Sequence, residues 1–320
     1  MSSDYKKEFE NLVDAVIKED ASDLHLSEGR QPILRVSGFL VPLASLPVVS
    51  RQDMKAIFDI VFDAQKKEIF LEKKQVDFAY DHGNSRFRGN AFFAMGKMSL
   101  ALRLIPKRIR SYDELALPSI LDSFTNKQQG FFLVVGPTGH GKSTTLASMI
   151  DRINEQRLEH IVTIEDPVEY VFESKKSIID QREVTQDTPD FHTALQGMFR
   201  QDIDVVMIGE MRGPEDISAA VTAAETGHLV FSTLHTNTAA QTIDRIIDSF
   251  DKVQQEQISY QLASSLIGIL SQRLIPRVSG GLIPACELLI NNSAVSNLIR
   301  DKRIYEINSI IETSGESGMI

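Results

Sequence analysis

Two hydrophobic periodicities divide this chain, and they change over near residue 110. Phe9, Leu12, Val13, Val16 and Ile17 recur at helical spacing and predict an amphipathic helix over Glu8–Asp20. Ala21–Leu26 and Ile33–Val36 then alternate residue by residue, as half-buried strands do. Ser50 is placed to cap a helix from Arg51 to about Val61, and Gln65–Leu71 also reads as helix. Val76–Tyr80, Arg86–Phe93 and Ser99–Leu104 return to strand spacing, with a turn at Asp81–Asn84. The first unit is therefore expected to be α+β with an antiparallel sheet.

From Gly130 the apolar stretches become longer and alternate in type. Strands are expected at Phe131–Val135, His160–Ile164, Asp204–Ile208 and Leu229–Leu234. Helices are expected between and after them at Ser143–Glu155, Phe191–Arg200, Glu215–Glu225 and Ala239–Phe250. That alternation predicts an α/β unit with a mostly parallel sheet and right-handed crossovers. After Val253 the chain reads as helices, through Ser259–Leu274 and Ala294–Asp301, packed on the sheet or facing a partner. The expected plan is a domain over 1–111, a linker over 112–123 interrupted by Pro118, and a second domain over 124–320.

Composition narrows the picture. A length of 320 residues suits two domains, and 42% hydrophobic content supports sizeable cores. No apolar run approaches the ~20 residues that span a bilayer, and the first residues lack the apolar stretch of a signal peptide. A cytoplasmic protein without a membrane span is expected. The single Cys286 excludes an internal disulfide framework and a cysteine zinc site. A net charge of −10 argues against a general or sequence-specific nucleic-acid binder.

The chemistry centres on Gly136-Pro137-Thr138-Gly139-His140-Gly141-Lys142-Ser143, a complete G-x-x-x-x-G-K-[ST] phosphate loop with Thr144 opening the helix that follows. Its strand-to-helix context is the one the motif requires. The glycines let backbone N–H groups turn onto phosphate oxygens, and the helix N-terminus adds partial positive charge. Lys142 is expected to meet the β/γ-phosphates and the Ser143 hydroxyl to ligate Mg²⁺. No Asn-Lys-x-Asp guanine reader is present, which favours ATP.

Acids end two of the expected strands. Gly209 stands where many such enzymes carry a metal-shell aspartate, and Glu210 follows it, which suits a water-polarising base. Glu165 and Asp166 end the neighbouring strand and are expected to supply the missing metal-shell carboxylate. These ends converge on the crevice of an open parallel sheet. The bland reading of either acid alone is a helix cap or surface charge. His228 and His235 stand at the two ends of the next strand, where a histidine can bond a γ-phosphate or a water-holding carboxylate. The alternative for each is a satisfied structural histidine.

Together these blocks resemble the secretion-ATPase superfamily that powers type II secretion and type IV pili, and within it the pilus-retraction subfamily. The loop matches its Walker A, Ile164–Tyr170 its aspartate box, Val205–Arg212 its unusual Walker B, and Gly227–His235 its histidine box. Ala21–Leu26 and Gln181–Val184 are similar to further family signatures. The resemblance implies a RecA-like ATPase domain preceded by a PAS-like domain, in a homohexameric ring with nucleotide between subunits. It implies that Arg88 and Arg103 of the first domain face the phosphates, and that the ring works on an inner-membrane pilus platform protein from the inner face of the cytoplasmic membrane. His140 stands where serine is usual, at a position expected to offer its backbone. The subfamily's C-terminal motif reads Ala294-Val295-Ser296-Asn297-Leu298-Ile299-Arg300-Asp301 here, with Ser296 in place of an arginine. Leu298 and Ile299 are expected to transmit force to the partner. Alternatives are an assembly or secretion motor of the same superfamily, a RecA-like DNA motor, and a nucleotide-gated scaffold. The acidic balance opposes the DNA motor, and Glu210 opposes the scaffold.

Overall fold

The computed structural model describes residues 2–36, 38–83, 85–105, 108–278 and 280–319. The chain divides into two compact units, 1–107 with 169–171, and 108–168 with 172–320.

The first unit begins with α1 (Ser2–Lys18), then β1 (Ala21–Ser27), β2 (Ile33–Val36) and β3 (Phe39–Pro42). Helices α2 (Arg51–Val61) and α3 (Ala64–Lys73) follow, then β4 (Gln75–His82), β5 (Ser85–Ala94) and β6 (Lys97–Ile105). Ser50 starts α2 with a capping box: its side chain accepts from Asp53 N–H while Asp53 accepts from Ser50 N–H. The six strands form one antiparallel sheet in the order β3-β2-β1-β6-β5-β4. Alternation sorts its faces. Leu24, Leu26, Leu100 and Leu102 join Phe9, Val13, Met54 and Phe58 in a buried core under the helices. On the other face Asp23 pairs in register with Arg35 and with Arg103, and Arg103 with Arg88.

The second unit opens with two short helices, α4 (Tyr112–Leu115) and α5 (Asp122–Thr125), over the stretch expected as linker. Next come β7 (Gly130–Val135), α6 (Lys142–Gln156), β8 (His160–Glu165), β9 (Ile178–Glu183), α7 (Phe191–Met198) and β10 (Val205–Ile208). The chain continues through α8 (Pro214–Glu225), β11 (Leu229–Leu234), α9 (Ala239–Asp248) and α10 (Gln255–Ser265). It ends with β12 (Leu266–Pro276), β13 (Leu282–Ile290), α11 (Ser293–Arg300) and α12 (Ile307–Thr313). The seven strands run β13-β12-β7-β11-β10-β8-β9, and only the β12–β13 pair is antiparallel. Every residue of β7, β10 and β11 is buried, as in central parallel strands covered on both faces.

Two expectations fail here. The helix expected through Leu274 stops at Ser265, and the following residues form the hairpin β12–β13. The side chains of Leu298 and Ile299, expected to transmit force, are not at the surface. Both are buried in the core of this unit.

Candidate active site

The loop Gly136–Ser143 joins the C-terminal end of β7 to the N-terminus of α6. Gly139 and Gly141 both have φ of +80°, in the left-handed region that glycine tolerates best. A Cβ on Gly136 would meet the backbone oxygen of Gln272 at 2.3 Å. Ser50, Asp63, Asp190, Thr238 and Asn292 cap their helices with side chains, whereas α6 begins at Gly141 with none. The α6 dipole thus faces the loop without a capping acceptor, the setting in which an anion is favoured. A chain of phosphates fits this cradle.

Lys142 is buried, at 7% exposure, and its Nζ donates to Gly136 O at 2.9 Å and Pro137 O at 3.0 Å. The same Nζ lies 3.3 Å from His235 Nδ1, and Thr138 Oγ1 is also 3.3 Å from that nitrogen. An ammonium only donates, so Nδ1 accepts and the ring proton sits on Nε2. Nε2 in turn lies 3.5 Å from Glu210 Oε2. The structure therefore brings Lys142, His235 and Glu210 into one chain of contacts.

Glu210 follows the end of β10, where Thr233 Oγ1 donates to Gly209 O at 2.7 Å and fixes the turn. Arg212 bonds Glu210, and its Nη1 reaches Asp166 Oδ2 at 2.9 Å. Burial pushes the Glu210 carboxyl up, but bonding and charge from Arg212, with a contribution from His235, outweigh it and hold it below the usual range. Glu165 is buried at the end of β8, and its Oε1 accepts from Thr163 Oγ1 at 2.6 Å and Gln181 Nε2 at 3.3 Å. Among the described residues no group of three or more His, Cys, Asp or Glu could hold a metal ion.

Other expected site residues fall elsewhere. His228 precedes β11, at the opposite edge of the sheet from the loop, because β11 runs parallel to β7. Its Nδ1 donates to Ala223 O at 3.0 Å and its ring meets Phe199 edge-on at 5.7 Å. Within the subunit His228 is therefore a satisfied structural histidine, away from the loop. His140 offers more than its backbone, since its Nδ1 accepts from Leu274 N–H at 3.0 Å. Arg88 and Arg103 belong to the first unit, on β5 and β6, where Arg103 Nε donates to Asp23 Oδ1 at 2.8 Å. Arg212 and Gln272 were not foreseen as site residues. The trace of Arg212 in the sequence was a cation two residues beyond a strand-end acid.

Fold and loop together define an α/β protein with a phosphate-loop sequence at the carboxyl edge of its parallel sheet. The chain belongs to the Type II/IV secretion system protein family, which matches residues 3–312. It is 43% identical over 303 residues to the type IV pilus retractation ATPase PilT of Pseudomonas aeruginosa, covering 94% of this chain and 88% of that one. It is 45% identical over 290 residues to a twitching motility protein of Neisseria gonorrhoeae, covering 90% and 77%. Among solved structures it is similar to the pilus retraction motor PilT with bound ADP, with a TM-score of 0.90 and 44% identity, covering 95% of this chain and 89% of that one.

Proposed function

We propose that this protein is an ATP-hydrolysing motor that retracts a type IV pilus and so drives twitching motility. One observation carries the reading: the contact chain from the loop lysine Lys142 through His235 to Glu210, in a protein similar along nearly its whole length to a retraction motor solved with ADP. The second unit acts as a RecA-like ATPase domain and the first as a PAS-like domain, in a ring of six copies with nucleotide between neighbours. The ring works on an inner-membrane platform protein from the cytoplasmic side. No helix among the described residues is long and apolar enough to cross a membrane.

Lys142 exchanges the carbonyls of Gly136 and Pro137 for phosphate oxygens. Ser143, with Glu165 and Asp166, would hold magnesium, which neutralises phosphate charge when bound. Glu210 accepts the proton of the attacking water, and the Nε2–H of His235 holds its carboxylate in place. Arg88 and Arg103 meet the phosphates across the subunit boundary.

Deletion of the gene, with surface filaments and movement scored, tests the reading. Excess filaments without movement support retraction. Absent filaments reassign the protein to assembly, and unchanged filaments and movement overturn both.

A further inference from the structure

Gln272 lies on β12 directly behind the phosphate loop and is almost fully buried, at 2% exposure. It comes just after Ser271, the last β12 residue that pairs with β7. Its amide is used at both ends: Nε2 donates to His140 O at 2.8 Å, and Oε1 accepts from Thr145 Oγ1 at 2.7 Å. Its backbone oxygen fills the space that Gly136 leaves at the start of the loop, and its Nε2 would stand 3.0 Å from a Cβ on Gly141. Two residues further on, Leu274 N–H donates to the His140 imidazole. Strand β12 thus grips the loop at both its glycine ends and at His140 between them.

The direction of one peptide plane follows. In a trans peptide the C=O and the next N–H point to opposite sides. Holding the His140 carbonyl on Gln272 therefore aims the Gly141 N–H away from β12, toward the concave side where such loops meet phosphate oxygens. Gly141 has no Cβ to restrict its rotation.

We propose that Gln272 is a positioning residue for the polyphosphate of the nucleotide, shaping the loop by locking the His140–Gly141 peptide. His140 reinforces the lock through Leu274. The proposal rests on the phosphate-binding reading of the loop and adds the element that preorganises it.

Gln272→Met keeps the length of the side chain and removes both hydrogen-bonding atoms. ADP affinity, the KM and kcat for ATP, and Tm are measured on the full chain for parent and variant. The variant is expected to raise the ADP Kd and the ATP KM about tenfold, the scale of one buried polar group left unpaired. Its kcat at saturation stays within about twofold, because the lock acts on binding and not on the reacting atoms. An unchanged ADP Kd overturns the proposal, as does a fall in kcat at unchanged Kd. A parent protein that does not bind ADP overturns the phosphate-binding reading instead. If Gln272→Met fails to fold, Thr145→Ser and Thr145→Val replace it. Serine keeps the donor to Gln272 Oε1 and valine removes it, so the valine variant must bind ADP more weakly, and equal affinities overturn the proposal.

Discussion

Lys142 Nζ lies 3.3 Å from His235 Nδ1, so the loop lysine and the histidine just after β11 already touch across the mouth of the sheet. The contact needs an ammonium on one side and an acceptor nitrogen on the other. It also holds the ring so that its second nitrogen faces Glu210. Lys142→Ala removes the cation that meets the phosphates and also frees the His235 ring. Affinity for ATP and ADP is expected to fall roughly 10- to 100-fold, the range for a hydrogen bond to a charged group, with turnover falling as well. Calorimetric titration and steady-state hydrolysis measure the two. Turnover near that of the parent would remove the loop from the chemistry.

Glu210→Gln keeps the shape of the side chain but takes away its capacity to accept a proton. The parent carboxyl is held below the usual range by Arg212 and His235, and so is ionised at neutral pH. We expect Mg-ATP binding to be retained and kcat to drop at least ~10²-fold, the lower range for a lost general base. Single-turnover hydrolysis beside equilibrium binding decides it. A collapse of binding would make Glu210 a metal-site residue instead.

What the sequence conveyed, and what it hid, follows from how each residue is held. Strands β7, β8, β10 and β11 are legible because each is a short apolar run bounded by turn signals and followed by a helix or an acid. Strand β12 is not: Leu266-Ile267-Gly268-Ile269-Leu270 continues an apolar helix, and periodicity does not separate a buried strand from a buried helix. Gly268 interrupts that run, and in the fold a Cβ there would meet the Phe124 ring at 2.8 Å. The roles of Gln272 and His140 depend on β12, so they were hidden with it. The distance in sequence of Leu298 and Ile299 from the loop suggests force transmission, yet their burial makes them part of the fold. Glu210, Lys142 and His235 were legible because the ends of parallel strands meet on one edge whatever the loops between them do.

His160 at the start of β8 makes part of the stability depend on pH. Its Nε2 faces Asp180 Oδ2 at 2.9 Å, while Nδ1 faces the carbonyls of Gln201 and Asp202, each at 3.1 Å. Only the imidazolium can donate from both nitrogens. Burial pushes its pKa down, but Asp180 and the two carbonyls outweigh burial and raise it above the ordinary 6.5. A group whose folded pKa is raised stabilises fully below its unfolded value, and the contribution disappears as pH rises through the folded value. Stability should therefore fall with rising pH from about 6.5 upward, and His160→Gln should flatten that slope. Urea unfolding at stepped pH reads it. A variant with the slope of the parent would assign the dependence to another group.

We expect Arg103 to meet the phosphates of a neighbouring subunit. Arg103 is anchored by the buried Asp23 carboxylate through Nε at 2.8 Å, while its side chain remains 68% exposed. That is a cation fixed at its base and presented outward. An arginine supplied by a neighbour can be worth ~10³–10⁵ in rate, because it meets charge that grows in the transition state. In the head-to-tail ring proposed above, each interface would join one subunit's loop to the next subunit's first unit. Arg103→Ala and Glu210→Gln should then each be nearly inactive alone. Where an Arg103→Ala subunit presents its intact Glu210 to the intact Arg103 of a Glu210→Gln neighbour, a complete site is rebuilt. Mixed rings should recover part of the parent activity, with a maximum near equal proportions. If Arg103 served its own subunit, every site in every mixture would lack one of the two groups. Hydrolysis is followed while one variant is titrated into the other under conditions that allow subunits to exchange, and no recovery at any ratio would refute the assignment in trans.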